Sequence, residues 1–190
     1  DGLNEAIVTA EEQGFIKKAL VEEYAMGEEY SVECISFRGT HHFLAMTKKY
    51  TTGAPHYIET GHLEPAPVTD DMLNKVKHTV LHALDSLGIT DSASHSELKI
   101  DNAGNIKLIE IGGRMGGDLI GSDLVYQSTG IDYVRAVIQV SLGEAPDLTP
   151  EKSGKSAGVR FIMNQDDMDV YDRIMKEHPS FVIYSDIHTI

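Results

Sequence analysis

Apolar and polar positions change spacing several times along the chain, and the changes mark the elements. The stretch "ALVEEYAMGEEYSVECISFRGTHHFLAMTKKY" predicts a strand over about 19–24, a glycine corner at Gly27, and two strands joined by a turn at Arg38, Gly39 and Thr40. That is antiparallel sheet. In "TDDMLNKVKHTVLHALDSLG" the spacing turns helical, with Leu73, Val76, Val80, Leu84 and Leu87 on one side. Thr69 is the candidate N-cap, Asp70 and Asp71 suit the first turn, and Gly88 stops the helix. Next, "HSELKID" and "NIKLIEI" read as two strands around "NAGN", followed by helices over about 118–128 and 132–142 separated by Gly130. A polar linker, "EAPDLTPEKSGKS", leads to "AGVRFIM", "DDMDVYDRIMKE" and "FVIYSDIH", which read as strand, helix and strand. The expected class is therefore α+β with several antiparallel pairs, divided into residues 1–145 and a small β-α-β subdomain over 146–190.

Composition removes some functions and leaves others open. The 190 residues carry 16 basic and 30 acidic side chains, a formal charge of −14 with no basic run. Bulk electrostatics therefore argues against nucleic acid and anionic membrane as partners. An acidic protein can still bind a polyanion when divalent cations lie between the two, as in magnesium nucleotides. The single cysteine, Cys34, cannot form an internal disulfide, which points to a cytoplasmic protein. No apolar stretch approaches the roughly 18 residues of a membrane span, and "DGLNEAIVTAEEQ" lacks the regions of a signal peptide. His41 and His42 read as a strand end, since helical zinc-ligand spacing is missing.

The chemistry concentrates in "HSELKID" and "LIEIGGRMGGD". With a four-residue turn over 102–105, Glu97 lies directly opposite Glu110, and both acids share a face. Opposed like charges are destabilising, so such a pair calls for a shared proton or a cation. Oxygen ligands of this kind suit Mg²⁺. A register one residue off would separate the acids, and spacing alone does not choose between the two. Gly112, Gly113, Gly116 and Gly117 would let backbone approach a ligand, and Arg114 can grip phosphate with two parallel hydrogen bonds. The competing reading is a glycine-rich bend whose Arg114 pairs with a neighbouring acid. With no GKS or GKT, the loop is not a Walker loop.

Four segments in order, "VEEYAMGEEYSVE", "TKKYTTGAPHYIETGH", "HSELKID" and "IEIGGRMGGD", resemble the ATP-grasp superfamily over roughly residues 19–145. The likeness is to its carboxylate–amine ligases of the L-amino acid ligase type and to carbamoyl phosphate synthase large-chain-like proteins. It implies the C-terminal lobe of an ATP-grasp module. It also implies an adenine ring held by Glu22 and by the backbone of Glu23 and Ala25, with Glu29 on the ribose hydroxyls. By the same resemblance Glu97 and Glu110 bind Mg²⁺ or Mn²⁺, and Arg114 steadies the transferred phosphate. Lys49 falls near the phosphates or substrate, or else is only a strand-edge cation, and His62 falls near the acyl acceptor pocket. Gly112 stands where the family often has a third metal ligand, Asn.

The implied reaction joins small carboxylate and amine substrates through an acyl phosphate, with ADP as product and positioning and electrostatics as the means. Only about 20 residues precede Val21, whereas the family carries further lobes there. The expectation is a piece of a longer enzyme, with weak or absent catalysis by itself, and a homodimer as in many relatives. Two alternatives stay open: a bicarbonate-activating enzyme like biotin carboxylase or carbamoyl phosphate synthase, and a nucleotide-holding module without ligase activity.

Overall fold

The computed structural model describes residues 2–152 and 154–187. Its centre is a six-stranded sheet in the order β5-β4-β1-β2-β3-β6, with strands β1 (Glu28–Phe37), β2 (Thr40–Thr51), β3 (Glu59–Glu64), β4 (Ser92–Ile100), β5 (Ile106–Gly112) and β6 (Ala157–Arg160). Every neighbouring pair is antiparallel. Five helices accompany it: α1 (Gly2–Gln13), α2 (Asp70–Ser86), α3 (Val125–Thr129), α4 (Tyr133–Ser141) and α5 (Gln165–Glu177). Helices beside an antiparallel sheet make this the expected α+β class.

Local chemistry accounts for most boundaries. Arg38 and Gly39 both take positive φ, 48° and 74°, the left-handed pair that a two-residue hairpin turn requires. Thr69 caps α2 by accepting from the Met72 amide at 3.3 Å, and Gly88 leaves the helix at φ 68°. Gly27 has φ 120°, and a Cβ there would stand 2.3 Å from the Ile100 carbonyl oxygen. No other residue fits that corner.

Strand alternation then gives the sheet two unlike faces. Tyr30, Val32, Cys34, Met46, Leu98 and Ile100 point to one side, where Val76, Val80 and Leu84 of α2 close a dry core. Those three helix residues sit one turn apart, so a single stripe of α2 is buried. On the other side, Ile35, Ala45 and Ala93 meet Val125, Tyr133, Ala136 and Val140 from α3 and α4. This second core covers only one end of its face; the remainder carries polar residues. Buried Glu64 joins the two parts, accepting from Thr47 Oγ1 at 2.5 Å and Ser128 Oγ at 2.6 Å. Burial pushes its carboxyl up to about 7 against those two hydrogen bonds.

Five local expectations change. Residues 18–26 contain no strand, because both long edges of β1 and β4 are already paired and the acidic segment crosses their ends instead. α1 was not expected; it buries no residue. The helix expected over 118–128 starts as a π-helical turn, Ile120–Leu124, entered through Asp118 and Leu119 at positive φ of 49° and 65°. Finally, "FVIYSDIH" forms no strand over 182–187, following a 3₁₀ turn at Pro179–Phe181, and its last residue lies outside the described part. "AGVRFIM" is a strand only as far as Arg160, and that strand pairs with β3 at the edge of the main sheet.

Leu84 is fully buried in the α2 core. Leu84→Ala is expected to lower the unfolding free energy by about 3 kcal/mol, read as a fall in the urea midpoint at unchanged denaturant slope.

Candidate functional site

The polar face is built by strand register before any loop contributes. Glu33 pairs with His95 and Ser31 with Glu97, Lys49 with His62, and Glu97 with Glu110. Paired residues share a face, so all of these point away from α2. The Glu97–Glu110 pairing was expected, but it arises differently. The turn holds five residues, 101–105, and Ile100 pairs with Ile106, Lys99 with Lys107 and Leu98 with Leu108. Regular continuation would set Ile109 opposite Glu97. A bulge between Glu97 and Leu98 absorbs Ile109 and restores Glu110 to that position.

Lys49 is the centre of this face. Its Nζ lies 2.6 Å from Glu59, 2.8 Å from Glu97 and 3.5 Å from Glu29, with the side chain 4% exposed. Burial alone would lower its pKa, but hydrogen bonds to Glu59 and Glu97 outweigh that effect and raise it above the ordinary lysine value. The lysine is therefore an ammonium ion shared by carboxylates from three other segments of sheet. It is no strand-edge cation.

Next to it, His95 Nδ1 is bonded to buried Glu33, and His95 Nε2 is 3.2 Å from Glu97. Burial opposes charge on His95, yet Glu33 and Glu97 raise its pKa to about 9. Hydrogen bonding from His95, and then from Lys49, lowers Glu97 to about 2 despite burial. Glu59 is lowered by Lys49 against its own burial. Glu110, the acid opposite Glu97, is exposed and makes no hydrogen bond or ion pair among the described residues.

On the β3 side, His62 Nε2 is 3.3 Å from Glu59 and 3.9 Å from Asp118. Burial lowers its pKa, so the ring is neutral at physiological pH. Neither ring nitrogen has a hydrogen-bond partner among the described residues, and the ring edge meets Phe161 at 5.7 Å between centroids. Glu59, His62 and Asp118 each offer one donor atom within 4.8 Å of the others. This is an acceptor-rich corner for an ammonium group.

The remaining expected residues spread around this centre. Arg114 is exposed and its Nη1 donates to the Met115 carbonyl at 2.8 Å; among the described residues it pairs with no acid, unlike the glycine-bend alternative. Glu22 is exposed and Ala25 half-buried. Glu23 pairs with Lys107 at 2.8 Å. Lys99 sits 5.4 Å from the Tyr24 ring centre and 5.3 Å from that of Tyr57, and the two tyrosine hydroxyls bond. The segment bearing Glu22 to Ala25 thus runs past the end of β4 and β5 towards the loop before β3. Gly116 departs from the expected role: its amide donates to Glu33 at 2.9 Å, so it approaches a buried acid, not a ligand.

Glu33, Glu59, His95 and Asp118 are parts of the site that sequence reasoning missed. Period-two polar stripes could have found two of them: Glu33, with Glu29 and Ser31 on β1, and His95, with Glu97 and Lys99 on β4; Glu59 lies an odd three residues before His62, where the β2–β3 register shifts. Asp118 follows no such pattern, since a left-handed backbone brings it in.

Lys49→Met leaves Glu59 and Glu97 without their cation, and about 3 kcal/mol of stability should be lost near neutrality. Glu97 has a folded pKa of about 2, below its ordinary 4.5, so the stability it supplies is present above 4.5 and lost as pH falls through 2. The gap between wild type and variant should therefore narrow on acidification, which urea unfolding at about pH 7 and about pH 3 will show. A gap independent of pH would contradict the shared-ammonium account.

Comparison with known proteins supplies context for this geometry. Residues 4–123 match the family model of the ATP-grasp domain. Carnosine synthase 1 of Mus musculus is 27% identical over 154 residues, which are 80% of this chain and 18% of that protein. The crystal structure of the L-amino acid ligase from Bacillus licheniformis superposes with a TM-score of 0.65 at 29% identity, covering 75% of this chain and 35% of the other. The biotin carboxylase domain of the Hydrogenobacter thermophilus 2-oxoglutarate carboxylase, solved with MgADP and bicarbonate, shares the fold at TM-score 0.65 and 18% identity, over 80% of this chain and 32% of that one. The chain thus spans less than a fifth of the curated relative's length and about a third of each solved structure's.

Proposed function

We propose, from the premise that this chain belongs to the ATP-grasp family, that it is the nucleotide- and metal-binding lobe of an ADP-forming carboxylate–amine ligase that joins amino acids through an acyl phosphate. The carrying observation is the pair Glu97 and Glu110, directly opposed across the β4–β5 ladder on the open polar face. The names of the amino acid ligase and of carnosine synthase among its relatives support the carboxylate–amine reading, and the MgADP-bound neighbour supports the nucleotide.

The residues present fit a hard divalent cation. Lys49 and His95 both contact Oε1 of Glu97, so Oε2 is left for a ligand, and Glu110 has no competing partner among the described residues. Glu97 and Glu110 would hold Mg²⁺ or Mn²⁺, which when bound neutralises phosphate oxygens and orients the transferred group. Glu22 and the backbone of Glu23 and Ala25 would meet the adenine, and Glu29 the ribose hydroxyls. Lys49 fixes the separation of Glu29 from Glu97, and hence of ribose from phosphates. The guanidinium of Arg114, paired with no acid among the described residues, would stabilise charge on the phosphoryl group as it moves.

In the first step an oxygen of the substrate carboxylate attacks the γ-phosphorus, and the bond to ADP breaks. In the second, an amine nitrogen attacks the acyl carbon and phosphate leaves. Glu59 and Asp118 would hold the amine substrate, and neutral His62 offers a ring nitrogen for the proton that the amine releases. A homodimer and a cytoplasmic setting belong to the same proposal.

Phosphate release with Mg-ATP, measured across a panel of amino acids and bicarbonate, tests this reading. Release should require a pair of amino acids, and Glu110→Gln should reduce it by about 10²-fold or more, with little effect on folding because Glu110 supports no neighbour. The whole protein carrying this lobe is expected to turn over, and the 190-residue chain weakly or not at all. Bicarbonate-dependent release would favour the biotin carboxylase-like alternative; ATP binding without release would favour a nucleotide-holding module.

A further inference from the structure

We propose that His95, clamped against buried Glu33, is a positioning residue that presents the Glu97 carboxylate to the metal and ties it to the glycine loop bearing Arg114. The inference rests on the reading of Glu97 as a metal ligand given above.

The argument begins with Glu33, whose side chain is fully buried on β1. A buried carboxylate needs its lone pairs occupied. Glu33 Oε1 is bonded to His95 Nδ1, and Oε2 accepts the Gly116 amide at 2.9 Å. Since Glu33 and His95 are directly paired across β1 and β4, the sheet itself sets their separation. The other ring nitrogen of His95 then reaches Glu97 Oε1 at 3.2 Å. Lys49 meets that same oxygen at 2.8 Å. With two donors on Oε1, the carboxylate cannot rotate freely, and Oε2 carries neither of these contacts.

The loop is held through the same pair. A Cβ on residue 116 would stand 2.6 Å from Glu33 Oε1 and 2.8 Å from His95 Nδ1, so only glycine lets the backbone rest there. The chain of contacts therefore runs from the Gly116 amide through Glu33 and His95 to Glu97. Arg114 lies two residues before its loop end, so one strut sets both the metal acid and the phosphate-facing arginine. Histidine suits this place because its two nitrogens point in opposite directions at fixed separation, which no flexible side chain reproduces.

Mn²⁺ binding by the full chain, read from the electron paramagnetic resonance of free Mn²⁺ with and without ATP, tests the strut. Wild type should bind and Glu97→Gln should bind weakly. His95→Ala should lose about 10- to 100-fold in Mn²⁺ affinity and add no further loss in the Glu97→Gln background. Gly116→Ala keeps every charge but crowds the pair, and it should weaken Mn²⁺ in the same direction; it also serves if His95→Ala does not fold. Folded His95→Ala and Gly116→Ala proteins with unchanged or tighter Mn²⁺ binding would overturn the proposal, as would an equal loss in both backgrounds. Failure of wild type to bind Mn²⁺, or no effect of Glu97→Gln, would instead remove the metal reading on which it stands.

Discussion

One ammonium group organises the polar face. Lys49 on β2 holds Glu29 on β1, Glu59 on β3 and Glu97 on β4 within 3.5 Å, so a single cation spans four adjacent strands. Without it, three carboxylates would face one another in a half-buried setting, where like charges repel strongly. With it, the face still carries more negative than positive charge. The excess is placed where a ligand or metal can reach it, on Glu110 and on the free oxygen of Glu97.

The sheet can support such a face because its other side is dry. Val32, Cys34 and Leu98 are fully buried against Val76, Val80 and Leu84 of α2, and this burial fixes the strand positions that the polar residues then inherit. Buried ion pairs seldom add net stability, since desolvation consumes much of the attraction. Their role here is geometric: the α2 core supplies the free energy, and the charges specify which atoms meet. Tyr133 marks the boundary between the regimes, its hydroxyl donating to the Cys34 carbonyl at 2.8 Å where the second core gives way to the site.

Much of this is legible in the chain. Thr69, Asp70 and Gly88 delimit α2, Arg38 and Gly39 set the hairpin, and opposed acids on β4 and β5 are one of the two registers that the spacing allows. Where the reading failed, the missing information was tertiary. A strand over 19–24 looks plausible by composition, but a strand exists only with a partner, and no local pattern says that β1 takes the edge of β4 that β5 leaves open. The bulge at Ile109 is invisible for the same reason: the expected register for Glu110 was reached with a turn one residue too short, and the two differences cancelled. Glu33 and His95 were overlooked because each is unremarkable alone, 62 positions apart, and only the β1–β4 pairing makes them one unit. Gly116 shows the reverse, a glycine explained by a ligand when its neighbour is a buried acid.

The charge on this face also constrains what can bind. Glu29, Glu33, Glu59, Glu97, Glu110 and Asp118 surround Lys49 and His95, and Arg114 stands apart on its loop. A bare polyphosphate approaching those acids would be repelled, in line with the −14 charge of the whole chain. A nucleotide already neutralised by divalent cations meets the opposite situation, because each cation gains carboxylate ligands as it arrives. On the proposed reading, metal and nucleotide would then bind as one entity, and the acidity that argues against nucleic acid as a partner would favour a metal-bound phosphate. Arg114, paired with no acid among the described residues, would complement this arrangement: a positive group held off the acidic cluster would be available to oxygens that the proposed cations leave uncovered.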